Sequence, residues 1–189
     1  SLAASSDAVA VFADVQQRFA VAHVDYRSRH DPRPMRARPT ERVAVLAPQP
    51  DVDLRVLGGR VVRNDASRFI VSSGLTAQER VEITDLASGA AVGVKLLQAT
   101  AAKAELVDGY LVYRGGHSSG ADVVHQLGRA KHEDFVIFRA PPVDTTVRYQ
   151  LELGQKVAGL RMIDSVVELL DQDGVPRLRM NRPYIVDAA

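Results

Sequence analysis

Gly58-Gly59, Asp108-Gly109 and Asp173-Gly174 each stand between runs of branched apolar residues. A two-residue loop with positive φ at both positions matches the right-handed twist of the strands it joins. Gly, or Asp followed by Gly, adopts that loop at least cost. The spacing therefore predicts β-hairpins, and a chain punctuated in this way folds into antiparallel sheets.

Short strands are expected over residues 43–47, 51–57, 60–63, 68–72, 80–84, 91–97, 104–107, 110–114, 121–127 and 134–139, separated by Pro, Gly, Asn and Ser clusters. The strongest period-two pattern follows: Val147, Tyr149, Leu151 and Leu153 alternate with Arg148, Gln150 and Glu152. That alternation places one strand face in a core and the other in water. Further strands are expected over 159–164, 166–170, 176–180 and 184–186. Many short strands without helices between them predict a mainly β fold, an antiparallel β-sandwich or stacked sheets.

The exception is the start of the chain. Ala8, Val11, Phe12, Val15, Phe19 and Ala22 recur at the spacing of one helical face, with Ser6 placed to cap it. Residues 1–25 are thus read as a helical segment. Residues 26–42 carry Pro32, Pro34 and Pro39 among arginines and few large apolar groups, and read as a Pro/Arg-rich linker. Residues 43–189 form the antiparallel β domain.

Charge and composition exclude several function classes. Lys plus Arg number 24 and Asp plus Glu 23, so no global field selects nucleic acid or an anionic membrane. The arginines of 26–42 lack the interleaved aromatics that stack bases. With no cysteine, disulfides, thiolate catalysis and cysteine-ligated metals are excluded. No apolar run approaches the roughly 18 to 20 residues of a membrane-spanning helix.

Three motifs invite chemistry. Gly116-His117-Ser118-Ser119-Gly120 matches the G-x-S-x-G nucleophile elbow, which needs a strand before it, a helix after it, and an acid and then a histidine later in the chain. After Ser118 the histidines are His125 and His132, too close along the chain for that arrangement, and the motif reads as a Gly/Ser-rich loop between strands. His117, Asp122, His125, His132, Glu133 and Asp134 are metal-ligand types, but their offsets match no recognisable metal site. If 121–127 and 134–139 pair, His125 and His132 approach near the hairpin loop. Asp171-Gln172-Asp173-Gly174 resembles part of a calcium loop, yet Val175-Pro176 follows where an EF-hand continues toward its glutamate, and a hairpin turn is expected. No catalytic, cofactor-binding or metal-binding residue is assigned.

The order of elements in the second half carries a resemblance. Asp122-Val123-Val124-His125, Glu133-Asp134-Phe135-Val136-Ile137, Pro141-Pro142 and the alternating stretch 147–153 are followed by Gly159-Leu160 and the strand–turn–strand over 166–180. The run closes with Arg182-Pro183-Tyr184-Ile185-Val186-Asp187-Ala188. This succession resembles the β-rich region upstream of the repeats in large secreted bacterial YD-repeat (Rhs-type) proteins and in myxobacterial-type surface proteins. It covers about residues 105–189. The chain departs from that family in having His125 where an aromatic is usual, and in lacking the Tyr-Asp repeats.

The resemblance implies a non-catalytic β-module of a larger secreted or cell-surface bacterial polypeptide. The expected partner is another protein domain or subunit, or an envelope component. The chemical alternatives are a serine hydrolase using Ser118 and a carbohydrate-binding module. The second is disfavoured by a chain without tryptophan and poor in other aromatics.

Overall fold

The computed structural model describes residues 2–18, 23–26, 35–36, 46, 49, 51–63, 65, 68–129, 131–144 and 146–187. One helix, α1 (Ser6–Arg18), precedes the strands β1 (His23–Tyr26), β2 (Met35–Arg36), β3 (Leu54–Leu57), β4 (Arg60–Arg63), β5 (Phe69–Gly74), β6 (Val81–Asp85), β7 (Ala91–Leu96) and β8 (Glu105–Val107). The succession continues with β9 (Tyr110–Tyr113), β10 (Asp122–Leu127), β11 (His132–Ile137), β12 (Tyr149–Leu153), β13 (Gly159–Ile163), β14 (Val166–Leu170), β15 (Pro176–Met180) and β16 (Ile185–Asp187). The protein is mainly β, with stacked antiparallel sheets and one short N-terminal helix.

The strands form a six-stranded sheet ordered β12-β7-β6-β5-β4-β3, a four-stranded sheet β11-β10-β9-β8, and two three-stranded sheets, β13-β14-β15 and β16-β1-β2. The first two make the sandwich. Val61, Val71, Val81 and Leu96 from the six-stranded sheet pack against Leu111, Tyr113, Val123 and Leu127 from the four-stranded sheet. The same inner face runs on beyond that contact. There Val92, Ile83 and Phe69 meet Leu169 and Leu178 of the β13-β14-β15 sheet. One long apolar face is thus covered in two parts by two smaller sheets.

The outer face of the four-stranded sheet is covered as well. Ala8, Phe12 and Val15 of α1 pack on Tyr110, Val112 and Val124, and the Phe12 and Tyr110 ring centroids lie 5.1 Å apart. Burial on both faces explains why Tyr110-Leu111-Val112-Tyr113 is apolar without alternation. Each such fully buried side chain contributes on the order of 1.5–3 kcal/mol over exposure.

Local chemistry sets the element ends, with some differences from expectation. The helix cap is Ser5, whose Oγ accepts the Ala8 N–H at 3.2 Å, one residue before the expected Ser6. The segment 1–25 is helical only as far as Arg18, since His23–Tyr26 is a strand paired with β16 and β2. Within the linker 26–42, Tyr26 and Met35 pair, and residues 27–34 and 37–42 lie outside the described residues. The strand expected over 43–47 also lies outside them, apart from Leu46, a buried turn residue.

Two of the three diagnostic turns have both φ values positive, Gly58 (56°) with Gly59 (76°) and Asp108 (48°) with Gly109 (82°). The third is longer. Asp171 N–H donates to Val175 O at 3.0 Å, and only Gly174 has positive φ. A further two-residue loop, Asp164 (48°) and Ser165 (68°), joins β13 to β14 without a glycine. The alternating strand β12 is an edge strand, so of the expected core face Val147 and Leu151 are half-buried against the core, while Tyr149 and Leu153 remain exposed.

Candidate functional site

The hairpin that the histidines need does form. In β10·β11 His125 lies opposite Asp134 and Leu127 opposite His132. The His125 and His132 rings approach to 5.0 Å between centroids at 83°. Val123, His125 and Leu127 share the inner face of their sheet, which buries His125 between the two layers of the sandwich. Burial pushes its pKa well below the ordinary histidine value, and the neighbouring His132 lowers it further. Burial also lowers His132, against the opposing pull of Asp134 and Glu133.

His125 ends a polar chain that crosses the core. Its Nδ1 lies 2.9 Å from Ser73 Oγ on β5, Ser73 Oγ lies 2.9 Å from Tyr113 Oη, and Tyr113 Oη donates to Gly74 O at 2.9 Å. Each hydroxyl has one proton, and that of Tyr113 goes to the carbonyl. Ser73 therefore donates to Tyr113, and His125 Nδ1–H donates to Ser73. The Tyr113 phenol is pushed up to about 12 by burial. This relay satisfies core polar groups and ties the sheets together; all of its members are buried.

The carboxylates near these histidines are otherwise engaged. Asp122 receives Gly115 N–H and Arg139, both at 2.8 Å. Glu133 pairs with Lys131 and accepts from Tyr184, and Asp134 accepts from Tyr149. Among the described residues no group of three or more His, Cys, Asp or Glu is disposed to hold a metal ion. Asp171 likewise holds its own turn, accepting from Asp173 N–H at 3.0 Å and Val175 N–H at 2.9 Å and pairing with Arg177.

The Gly116–Gly120 motif joins β9 to β10, strand to strand, without the helix that a nucleophile elbow requires. Its glycines answer packing and turn geometry. A Cβ on Gly116 would stand 2.9 Å from Tyr113 O and 3.0 Å from Val123 Cγ2, and Gly120 has φ +81°. The loop is stitched to residues 98–100 by Ser118 N–H to Gln98 O and Thr100 N–H to Gly116 O, each 2.9 Å. With residues 138–144 and 146 it borders an open cleft of about 490 Å³. Within it His117 Nδ1 lies 2.7 Å from the exposed Ser119 hydroxyl, a pairing that the elbow motif, centred on Ser118, does not suggest.

A different surface stands out at the end of the long core. β13 is hydrogen-bonded to β14 on one side, and no described strand pairs with its other side. Leu160 is opposite Leu169 and Met162 opposite Val167, so both lie on the core-side face, yet they are 50% and 74% exposed. On the other face Arg161 is drawn over the buried Glu168, Nη2 to Oε2 2.6 Å, and Arg179 joins from β15. The Arg161 bond is the main cause holding the Glu168 carboxyl below its ordinary range. The charge that could guard this edge is thereby neutralised against its own sheet.

The chain matches no protein-family model, and comparison with curated proteins and with solved structures finds no match.

Proposed function

We propose that the chain is a structural and interaction module of a larger secreted or cell-surface polypeptide, working by binding rather than by turnover. Its contact surface is the β13 edge, and its partner is a neighbouring domain, a subunit or an envelope component offering an extended segment. The observation that carries this reading is the conjunction on β13 of an open hydrogen-bonding side with exposed Leu160 and Met162. An added strand would take up the N–H and C=O groups that no described strand pairs. Its alternate side chains would extend the apolar layer of Leu169 and Leu178.

The order of elements over residues 105–189, with its resemblance to the β-region of large bacterial surface proteins, supports the same assignment. The stacked antiparallel sheets, the six-stranded and four-stranded ones tied through Ser73, Tyr113 and His125, supply a stiff mount for such an edge. No helix among the described residues is long and apolar enough to cross a membrane.

The test is association of the chain with the remainder of its native product, compared between the natural chain and Met162→Lys. A lysine at this exposed position leaves the core intact, and the expected result is at least about tenfold weaker association, equivalent to about 1.4 kcal/mol, with an unchanged melting temperature. Equal association by the two proteins removes β13 from the contact.

A further inference from the structure

We propose that Ser119, and not Ser118 at the centre of the G-x-S-x-G motif, is an acyl-accepting serine activated by His117. The Ser119 hydroxyl lies 2.7 Å from His117 Nδ1, and the Ser119 backbone N–H points at the same nitrogen from 3.3 Å. A backbone N–H can only donate. Nδ1 is therefore the unprotonated nitrogen, its lone pair faces the hydroxyl, and the ring proton sits on Nε2. That is the arrangement of a general base poised on a nucleophile.

The imidazole is fixed while the hydroxyl is accessible. His117 is 6% exposed, its Nε2 is buried without a partner among the described residues, and its backbone is held by the bridge to Ala99 and by Ala121 O. Ser119 is exposed beside Gly120, where a built Cβ would meet nothing within 4 Å, which leaves room for a reagent to approach. Phe138, Pro141 and Pro142 give the cleft an apolar wall. Asp144 and Thr146 line the same cleft. Gln98, a non-glycine residue at φ 62°, lines it too.

The ligand class is a small uncharged ester with an apolar acyl group. Ser119 Oγ forms a bond to the carbonyl carbon as its proton passes to His117 Nδ1. The ester C–O bond then breaks, and the departing alkoxide takes that proton, leaving acyl-Ser119, a free alcohol and neutral His117. A fluorophosphonate reacts in the same sense, with an Oγ–P bond formed and P–F broken as fluoride leaves with the proton.

The experiment is labelling of the whole chain with a fluorophosphonate probe, read by intact mass and peptide mapping. One adduct is expected, on Ser119, absent in Ser119→Ala and undiminished in Ser118→Ala. In His117→Gln the rate should fall by about 100-fold or more, the usual share of a positioned base. Absence of an adduct, an adduct on Ser118, or equal labelling of folded His117→Gln overturns the proposal. If His117→Gln does not fold, the two serine variants decide by themselves: an adduct retained in folded Ser119→Ala, or lost in folded Ser118→Ala, overturns the assignment. The β13 edge is on a different sheet, so either outcome leaves its test unaffected.

Discussion

The His132 ring stands edge-on to that of His125 at 5.0 Å, so a half-buried imidazole caps a buried one at the end of the β10·β11 hairpin. Both pKa values lie below the ordinary histidine value in the folded chain. The unfolded chain, titrating near about 6.5, binds protons that the folded chain refuses. Stability contributed by the neutral pair is fully present above that pH and is lost as pH falls below it. Urea midpoints should therefore drop between about pH 7 and pH 5, by up to about 1.4 kcal/mol per pH unit per histidine. A midpoint independent of pH across that window would show that the pair is not buried neutral.

Asp85 is a second site of pH dependence in a lower window. Fully buried, it accepts Arg68 Nε at 3.0 Å, Ser88 Oγ at 2.6 Å and Ala87 N–H at 3.4 Å. The Arg68 bond, followed by that of Ser88, brings its pKa down from 3.8 to about 2. Its contribution is present above the unfolded value and disappears as pH falls toward 2. Asp85→Ala should cost about 1–3 kcal/mol at neutral pH and flatten the acid limb of the urea midpoint between about pH 4 and 2. An unchanged acid limb in the variant would assign it to other groups.

The β13–β14 loop should be improvable. Ser165 holds φ 68° with a side chain that disfavours it. Ser165→Gly removes that cost while adding unfolded-state entropy, for a net gain of about 0.5–1 kcal/mol. The melting temperature should rise, and a fall would mean that the serine side chain contributes to the loop.

The first glycine of the Gly116–Gly120 motif is needed for packing. Gly116→Ala forces a Cβ against Tyr113 O and Val123 Cγ2 and should cost about 1–3 kcal/mol. Gly159→Ala, where a Cβ meets nothing within 4 Å, is the matched control and should be close to neutral. Equal melting temperatures for the two variants would remove the steric argument.

Much of this architecture is legible from local chemistry. Gly58-Gly59 and Asp108-Gly109 predict their hairpins because Gly, and Asp before Gly, adopt positive φ at least cost, and β4, β14 and β15 fall where the apolar runs place them. Asp164-Ser165 is missed because neither residue is glycine. The expected core face around β12 holds at Val147 and Leu151 but not at Tyr149 and Leu153, because alternation does not reveal that a strand lies at an edge. β1 is missed because its partner, β16, lies at the far end of the chain. The site residues divide in the same way. His125 and His132 meet through a hairpin that the sequence suggests. The links from His125 to Ser73 and from Ser73 to Tyr113 depend on the stacking of two sheets, which no local pattern encodes. Ser119 is obscured by a motif that draws attention to its neighbour.

The most direct measurement is amide hydrogen exchange over residues 159–163, in the isolated chain and in the native product. The amides of β13 that point away from β14 should exchange freely in the isolated chain. In the native product they should slow by at least about tenfold, equivalent to about 1.4 kcal/mol of protection, while β14 remains protected in both. Equal, fast exchange of those amides in the two samples would contradict the claim that β13 is a contact edge.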